Sequence, residues 1–293
     1  MAIATIPVDL FNPGQVFACL GLVEAVETFI GPCRAAFDWR KSMYPVFRLG
    51  VDGECDPVAA ALQHLATAEV KALIPPGSSH RTDKWKVPMA IAGNDLYPIP
   101  EPDGPPKLPA LLCAAGKTLL VDHWGDGPGS TGRDGVKFWA GSGGYPGCAL
   151  LRDALELVRD RLGAAADDPF ALSAPQSSSF RFDWRRDYIP IDAGFSPNEH
   201  PEVTMVGYPA VEILAAIGLS NARPQAEERN KLAYRYGVVA SPGDTLLDPI
   251  FLRVGLGASR LPFPQRIFRM SLGWPGQEGQ ARSITEVIEE AGP

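Results

Sequence analysis

The stretch "NPGQVFACLGLVEAVETFIG", Asn12 to Gly31, decides the fold. Asn12 is a residue type that caps helices, and Pro13 suits the first helical position. From Val16 to Val23 every residue is apolar or Gly. A helix with no polar stripe is buried on most faces. Gly31-Pro32 ends it. A second run, "YPAVEILAAIGL", predicts another nearly all-apolar helix, with Glu212 as its only charge.

Outward from these helices, "IATIPVDL" reads as a short strand and "AAFDWRKSMYPVFRLGVDG" as a hairpin. "DPVAAALQHLATAEVKAL" reads as a helix begun by Asp56 and Pro57. "GCALLRDALELVRDRL" is amphipathic, with Leu150, Leu151, Leu155 and Val158 in its apolar set. "GKTLLVDHW", "VKFWAG", "FRFDWRRDYIPI", "LAYRYGVVA", "PIFLRVGL" and "RIFRMSLGW" read as strands, and "SITEVIEEAGP" as a short acidic tail. Strands and helices mix without a regular βαβ rhythm. The expected class is therefore α+β, with mixed or antiparallel sheets around buried apolar helices, in one body or two subdomains. "PIPEPDGPPKLP", Pro98 to Pro109, and "AAADDPFALSAPQSSS" carry linker signals. They divide the chain into an N-terminal α+β part over 1–97, a linker with a strand-helix unit over 98–164, and a C-terminal α+β part over 165–293.

The chain has 293 residues, 45% hydrophobic and 21% charged, which is a globular composition. A net charge of -7 argues against a surface that is basic throughout, though a local basic groove fits it. The five cysteines are scattered, with no CxxC pair, and are expected as small buried residues in a reducing cytoplasm. No signal peptide and no run long enough to span a bilayer is read, so a soluble cytoplasmic protein without membrane association is expected.

Catalytic signatures are thin. There is no HExxH and no GxxxxGK[ST]. "GDGPGSTGRDG" has the glycines of a phosphate loop without the Lys-Ser/Thr pair that completes it. "PGSTG" around Ser130 lacks the first glycine of a GxSxG elbow. Asp122 and His123 are strand neighbours and point to opposite faces. No spacing gathers His64, His80, His123 and His200 into a metal site. The expectation is no catalytic residue, no metal and no cofactor.

The informative feature is "FRFDWRRDY", Phe180 to Tyr188. As a strand it places Phe180, Phe182 and Trp184 on one face, and Arg181, Asp183 and Arg185 on the other. The aromatics then enter the core, while Arg181, Arg185 and Arg186 face solvent or phosphates. "FDWRK" repeats this logic, with Phe37 and Trp39 inward and Arg40 and Lys41 at the surface. From Pro249 to Gln277 stand Arg253, Arg260, Arg266 and Arg269, with no acidic residue among them. Unpaired arginines grip phosphates through bidentate hydrogen bonds. "SSHRTDKWK" adds Arg81, Lys84 and Lys86 around Trp85, a residue able to stack on a base.

The phrases "PVDLFNPGQVFACLGLVEA", "VKFWAG", "FRFDWRRDYIPIDAGFSPN" and "YPAVEILAAIGLSNARP" stand in this order between Ala4 and Pro224. Together they resemble the small CRISPR-associated proteins of the type I-U systems, also called type I-G. The resemblance implies a noncatalytic subunit of a Cascade effector complex, with other Cascade subunits and guide RNA or target DNA as partners. In such complexes base pairing reads sequence, and protein side chains hold backbones. It supplies no site residues, so the basic residues named above stand on charge alone. Two other readings remain: a subunit that only bridges protein neighbours, and a guide-RNA-processing ribonuclease with His123 and His80 as its first acid-base candidates. A salt-sensitive affinity for nucleic acid separates the leading reading from the bridging one.

Overall fold

The computed structural model describes residues 1–40, 44–91, 93, 104–105, 108–122, 145–185, 205–227, 230–274 and 282–290. The fold is α+β. Strands β1 (Ala2–Pro7), β2 (Cys33–Asp38) and β3 (Val46–Val51) form an antiparallel sheet in the order β1-β3-β2. Strands β4 (Glu69–Ile74), β5 (Met89–Ile91), β6 (Ala110–Ala114) and β7 (Lys117–Val121) form a mixed sheet in the order β5-β4-β6-β7, with β4 and β5 parallel. A small antiparallel pair joins β8 (Ala174–Pro175) to β9 (Val206–Gly207). The C-terminal sheet runs in sequence order through β10 (Gln225–Glu227), β11 (Asn230–Val239), β12 (Gln265–Gly273) and β13 (Ser283–Glu290), all antiparallel.

The helices are α1 (Pro13–Phe29), α2 (Pro57–Thr67), α3 (Gly147–Leu162), α4 (Pro209–Asn221) and α5 (Pro249–Leu256). The two apolar runs singled out in the sequence are α1 and α4. They form the most extensive helix–helix contact among the described residues. All but two residues of α1 are buried, as are those of α4 from Pro209 to Leu219. The other helices and the sheets surround this pair. In α3, Leu150, Leu151, Leu155 and Val158 are buried, as their spacing predicts.

One contiguous core runs from Ala4 to Ile284 and takes residues from all three sequence segments. Strand β2 of the first sheet meets the segment that follows β11, through bridges from Ala35 to Leu247 and from Phe37 to Ala240. The Phe17 ring of α1 packs edge-on against Tyr236 of β11 at 6.0 Å, and the Tyr236 hydroxyl donates to the Leu10 carbonyl at 2.7 Å.

Four expectations for local structure are corrected. The helix begun by Asp56 stops at Thr67. Ala68 is extended, and "EVKALI" becomes β4, paired on both sides. "PIFLRVGL" is the helix α5 and not a strand. The Asp248 carboxylate caps it through the Ile250 N–H at 3.0 Å, and Pro249 fills its first turn. The "acidic tail" is the edge strand β13. "FRFDWRR" is not a strand in its described part, Phe180 to Arg185, because Arg181 takes a left-handed φ of 67° that breaks the alternation. Phe180 and Phe182 then stack on each other in the core at 5.2 Å.

Cys19, Cys33 and Cys148 are buried, and burial pushes the Cys33 and Cys148 thiols up to about 12. The expectation of buried cysteines fails at Cys55, which is exposed, and at the half-buried Cys113. Most of "PIPEPDGPPKLP", and all of "VKFWAG" and "GDGPGSTGRDG", lie outside the described residues. Among the described residues no helix is long and apolar enough to cross a membrane.

Candidate nucleic-acid interface

The loop from Phe180 to Arg185 is held by a buried polar cluster. Glu212, in the first turn of α4, accepts the backbone N–H of Phe182 at 3.3 Å and of Asp183 at 3.1 Å. Asp183 is 1% exposed. Its carboxylate accepts from Asn12 Nδ2 at 2.9 Å and from the Arg185 backbone N–H at 2.9 Å. It also receives the Arg185 guanidinium through Nε at 3.0 Å and Nη2 at 2.6 Å. Arg185 completes its contacts on the Phe170 carbonyl at 2.8 Å, and its guanidinium carbon lies 3.5 Å from the centre of the Tyr208 ring. The outward-facing Arg185 and Asp183 expected from strand alternation are corrected: both turn inward onto each other. Asn12 sits at the N-cap position of α1 but makes no side-chain cap: its Nδ2 donates to Asp183, and its buried Oδ1 has no partner among the described residues.

Next to this cluster, the structure brings "FDWRK" and "RIFRMSLGW" together. Arg266 at the start of β12 forms a bidentate pair with Glu289 of β13, at 2.6 and 2.5 Å. That hydrogen bond holds the Glu289 carboxyl below its ordinary range. The Arg266 guanidinium lies 5.9 Å from the ring centres of both Phe11 and Trp39, and 5.2 Å from that of Phe268. Arg40 leaves the β2 end, pairs loosely with Asp38 at 3.7 Å and donates to the Ser241 carbonyl. Phe11 is 36% exposed and Tyr44, in the β2–β3 loop, 69% exposed. Arg266 therefore stands beside the exposed ring of Phe11 and the half-buried ring of Trp39, just ahead of the N-terminal end of α1. A base can stack on such rings while the guanidinium groups meet its backbone.

Most of the remaining described basic candidates are engaged elsewhere. Arg81 is bonded to the carbonyls of Ser78 and His80, within the β4–β5 connection. Lys84 lies 5.4 Å over the Trp85 ring, and Lys86 ends the same short 3-10 turn. Trp85 is half-buried and packs on the core. Arg269 pairs with Glu227 at 2.6 Å. Arg253 binds Glu24 at 2.7 Å and also reaches Glu27. Arg260 is exposed between α5 and β12, and Arg181 is half-buried. Lys41, Arg186 and His123 lie outside the described residues. His80 is half-buried in the β4–β5 connection.

The inference that the C-terminal arginines lack acidic partners is thus overturned for Arg253, Arg266 and Arg269. Their partners, Glu24, Glu27, Glu227 and Glu289, lie outside the stretch from Pro249 to Gln277 and are brought in by folding. Sequence reading also passed over Phe11 and Tyr44, for which exposure was the missing signal.

The Arg253 pair carries a stability prediction. The Glu24 side chain is 10% exposed, and burial raises its carboxyl despite the Arg253 guanidinium beside it. Arg253→Ala leaves that carboxylate without its cation. The variant is expected to be about 2 kcal/mol less stable at pH 7. The raised acid penalises the fold only when ionised, so the deficit appears as pH rises through the unfolded Glu value and shrinks below it. Urea melts at pH 7 and pH 4 check both halves: an equal deficit at the two values would refute the assignment to Glu24.

Among the described residues no group of three or more His, Cys, Asp or Glu is placed to hold a metal ion. Comparison with family models, with curated proteins and with solved structures finds no match for this chain.

Proposed function

We propose that this chain is a noncatalytic, cytoplasmic subunit of a type I CRISPR effector complex, and that it contacts guide RNA or target DNA at the N-terminal end of α1. The observation that carries the reading is Arg266 beside the exposed ring of Phe11 and the half-buried ring of Trp39, with Arg40 next to Trp39 in the chain. The sequence phrases support the biological setting, and this surface supports the contact.

The chemistry sets the size of the electrostatic part. Arg266 is already neutralised by Glu289, so Arg40, bonded to the Ser241 carbonyl and only loosely paired with Asp38, neutralises about one phosphate. For a single strand, each neutralised phosphate gives a salt slope of about -0.7. Stacking carries the larger share, at about 1–3 kcal/mol per base. Fluorescence anisotropy with labelled 12-nucleotide RNA and DNA strands tests this. Binding is expected with a shallow salt slope of roughly -0.7. Phe11→Ala is expected to weaken it about tenfold or more, and Arg40→Ala with Arg266→Ala to flatten the slope. No binding by the wild-type chain at low salt sinks the proposal.

The bridging reading has an observation of its own. Ile250 and Val254 on α5, four residues apart, are both exposed. Co-expression with the neighbouring genes and a guide RNA separates the two readings. Retention in the complex with no strand affinity, together with loss of retention in Ile250→Glu, favours bridging.

A further inference from the structure

A cavity of about 300 Å³ opens where the β1–α1 connection, the β2–β3 loop and Arg185 meet. Pro7, Pro45 and Phe170 give it apolar walls, and the exposed Tyr44 lines it. Asp9, Gln15, Asp168 and Arg185 give it polar atoms. Both carboxylates are half used: one oxygen of Asp9 accepts the Phe11 N–H at 2.9 Å, and one of Asp168 accepts the Ala171 N–H at 3.2 Å. The other oxygen of each has no partner among the described residues. Gln15 is 5% exposed, and its amide oxygen accepts the Asp9 N–H at 2.7 Å. Its NH₂ has no partner among the described residues.

We infer that this cavity receives a single nucleobase bearing an exocyclic amino group: cytosine, adenine or guanine in preference to uracil or thymine. The inference rests on the nucleic-acid reading above and deepens it. A phosphate is excluded by two carboxylates, and the nearby guanidinium is already neutralised by Asp183. The occupant must donate to both Asp9 and Asp168 and accept from Gln15. An amino group beside a ring nitrogen or carbonyl has that pattern on one flat edge. A lysine ammonium donates but has nothing to accept the Gln15 NH₂. Uracil and thymine offer a single N–H on that edge, so one of the two carboxylates is left facing a carbonyl oxygen, whereas an amino group carries two N–H donors. Pro45, Phe170 and Tyr44 supply flat or apolar surface for the ring.

The test uses 12-nucleotide strands of C, A and U as RNA, and of C, A and T as DNA, with cytidine and uridine titrated separately by intrinsic fluorescence. The two strand chemistries separate RNA from DNA as the source of the base. The wild-type chain is expected to prefer C and A strands about tenfold over U or T. Asp9→Asn with Asp168→Asn keeps the oxygens that cap the two turns and is expected to erase the preference. Equal affinity of the wild-type chain for all strands overturns the pocket and leaves the interface reading standing. Cytidine binding in preference to uridine, with no strand bound, supports the pocket and sinks the interface reading. Displacement of cytidine by lysine amide overturns the inference in favour of a cationic peptide. The wild-type preference decides even if the double variant fails to fold.

Discussion

Gly21→Ala is expected to cost the protein about 3 kcal/mol or more of stability. A Cβ built at Gly21 lies 1.8 Å from the Leu214 carbonyl oxygen and 2.6 Å from its carbon. The reciprocal position, Gly218 in α4, places a Cβ 2.2 Å from the Phe17 oxygen and 2.7 Å from the Gly21 nitrogen. Both clashes are with backbone, so no side chain can rotate away and the helices must separate. The sign runs against propensity, since Ala in a helix interior ordinarily gains about 1 kcal/mol over Gly. Because α1 and α4 form the centre of the fold, their separation loosens packing on every side. The measurement is a urea melt, read as a lower midpoint with an unchanged slope. Gly31→Ala is the control: its Cβ meets nothing within 4 Å. A Gly21→Ala protein as stable as the wild type would mean that the helices do not cross here.

These two helices were legible because burial on all faces leaves an unambiguous mark, an apolar run with no polar stripe. Shorter runs leave no such mark. "PIFLRVGL" is eight residues long, and periodicity does not separate a buried strand from a helix at that length. Asp248-Pro249 was the usable signal, the same pair as Asp56-Pro57 that opens α2. "SITEVIEE" looked like a tail because its charges are dense. In β13 those charges are partners, with Glu289 on Arg266 and Glu290 on Arg235.

The candidate site was legible only in part, for a related reason. Trp39, Arg40 and Arg266 were picked out by residue type, but their meeting is a product of sheet pairing across more than 200 residues. A local count of charges cannot see an ion pair closed by topology. It overrated Arg253 and Arg269 for that reason, and it placed Asp183 outside when one left-handed residue, Arg181, turns it inside.

Arg185→Ala is expected to lower stability by about 3 kcal/mol, with loss of nucleic-acid binding only as a consequence. Sequence alternation predicts the opposite, a surface arginine removable without harm. The guanidinium neutralises a carboxylate that is 1% exposed and braces the Phe170 carbonyl and the Tyr208 ring. Its removal leaves Asp183 with two neutral donors, Asn12 Nδ2 and the backbone N–H of residue 185. A buried charge without a cation is the expensive state. Asp183→Asn in the same chain removes that charge and keeps an oxygen for the Asn12 amide. The double variant is therefore expected to recover part of the loss, and a double-mutant cycle reads the recovery as coupling. Arg185→Lys keeps the charge but loses the planar fork and the stacking on Tyr208, so it should rescue poorly. Thermal melts and strand binding are measured on the same samples. If Arg185→Ala melts like the wild type yet no longer binds a strand, the side chain acts on the ligand, and its bond to Asp183 is dispensable. If it melts early and binds normally wherever it remains folded, Arg185 builds the wall of the site without touching what the site holds.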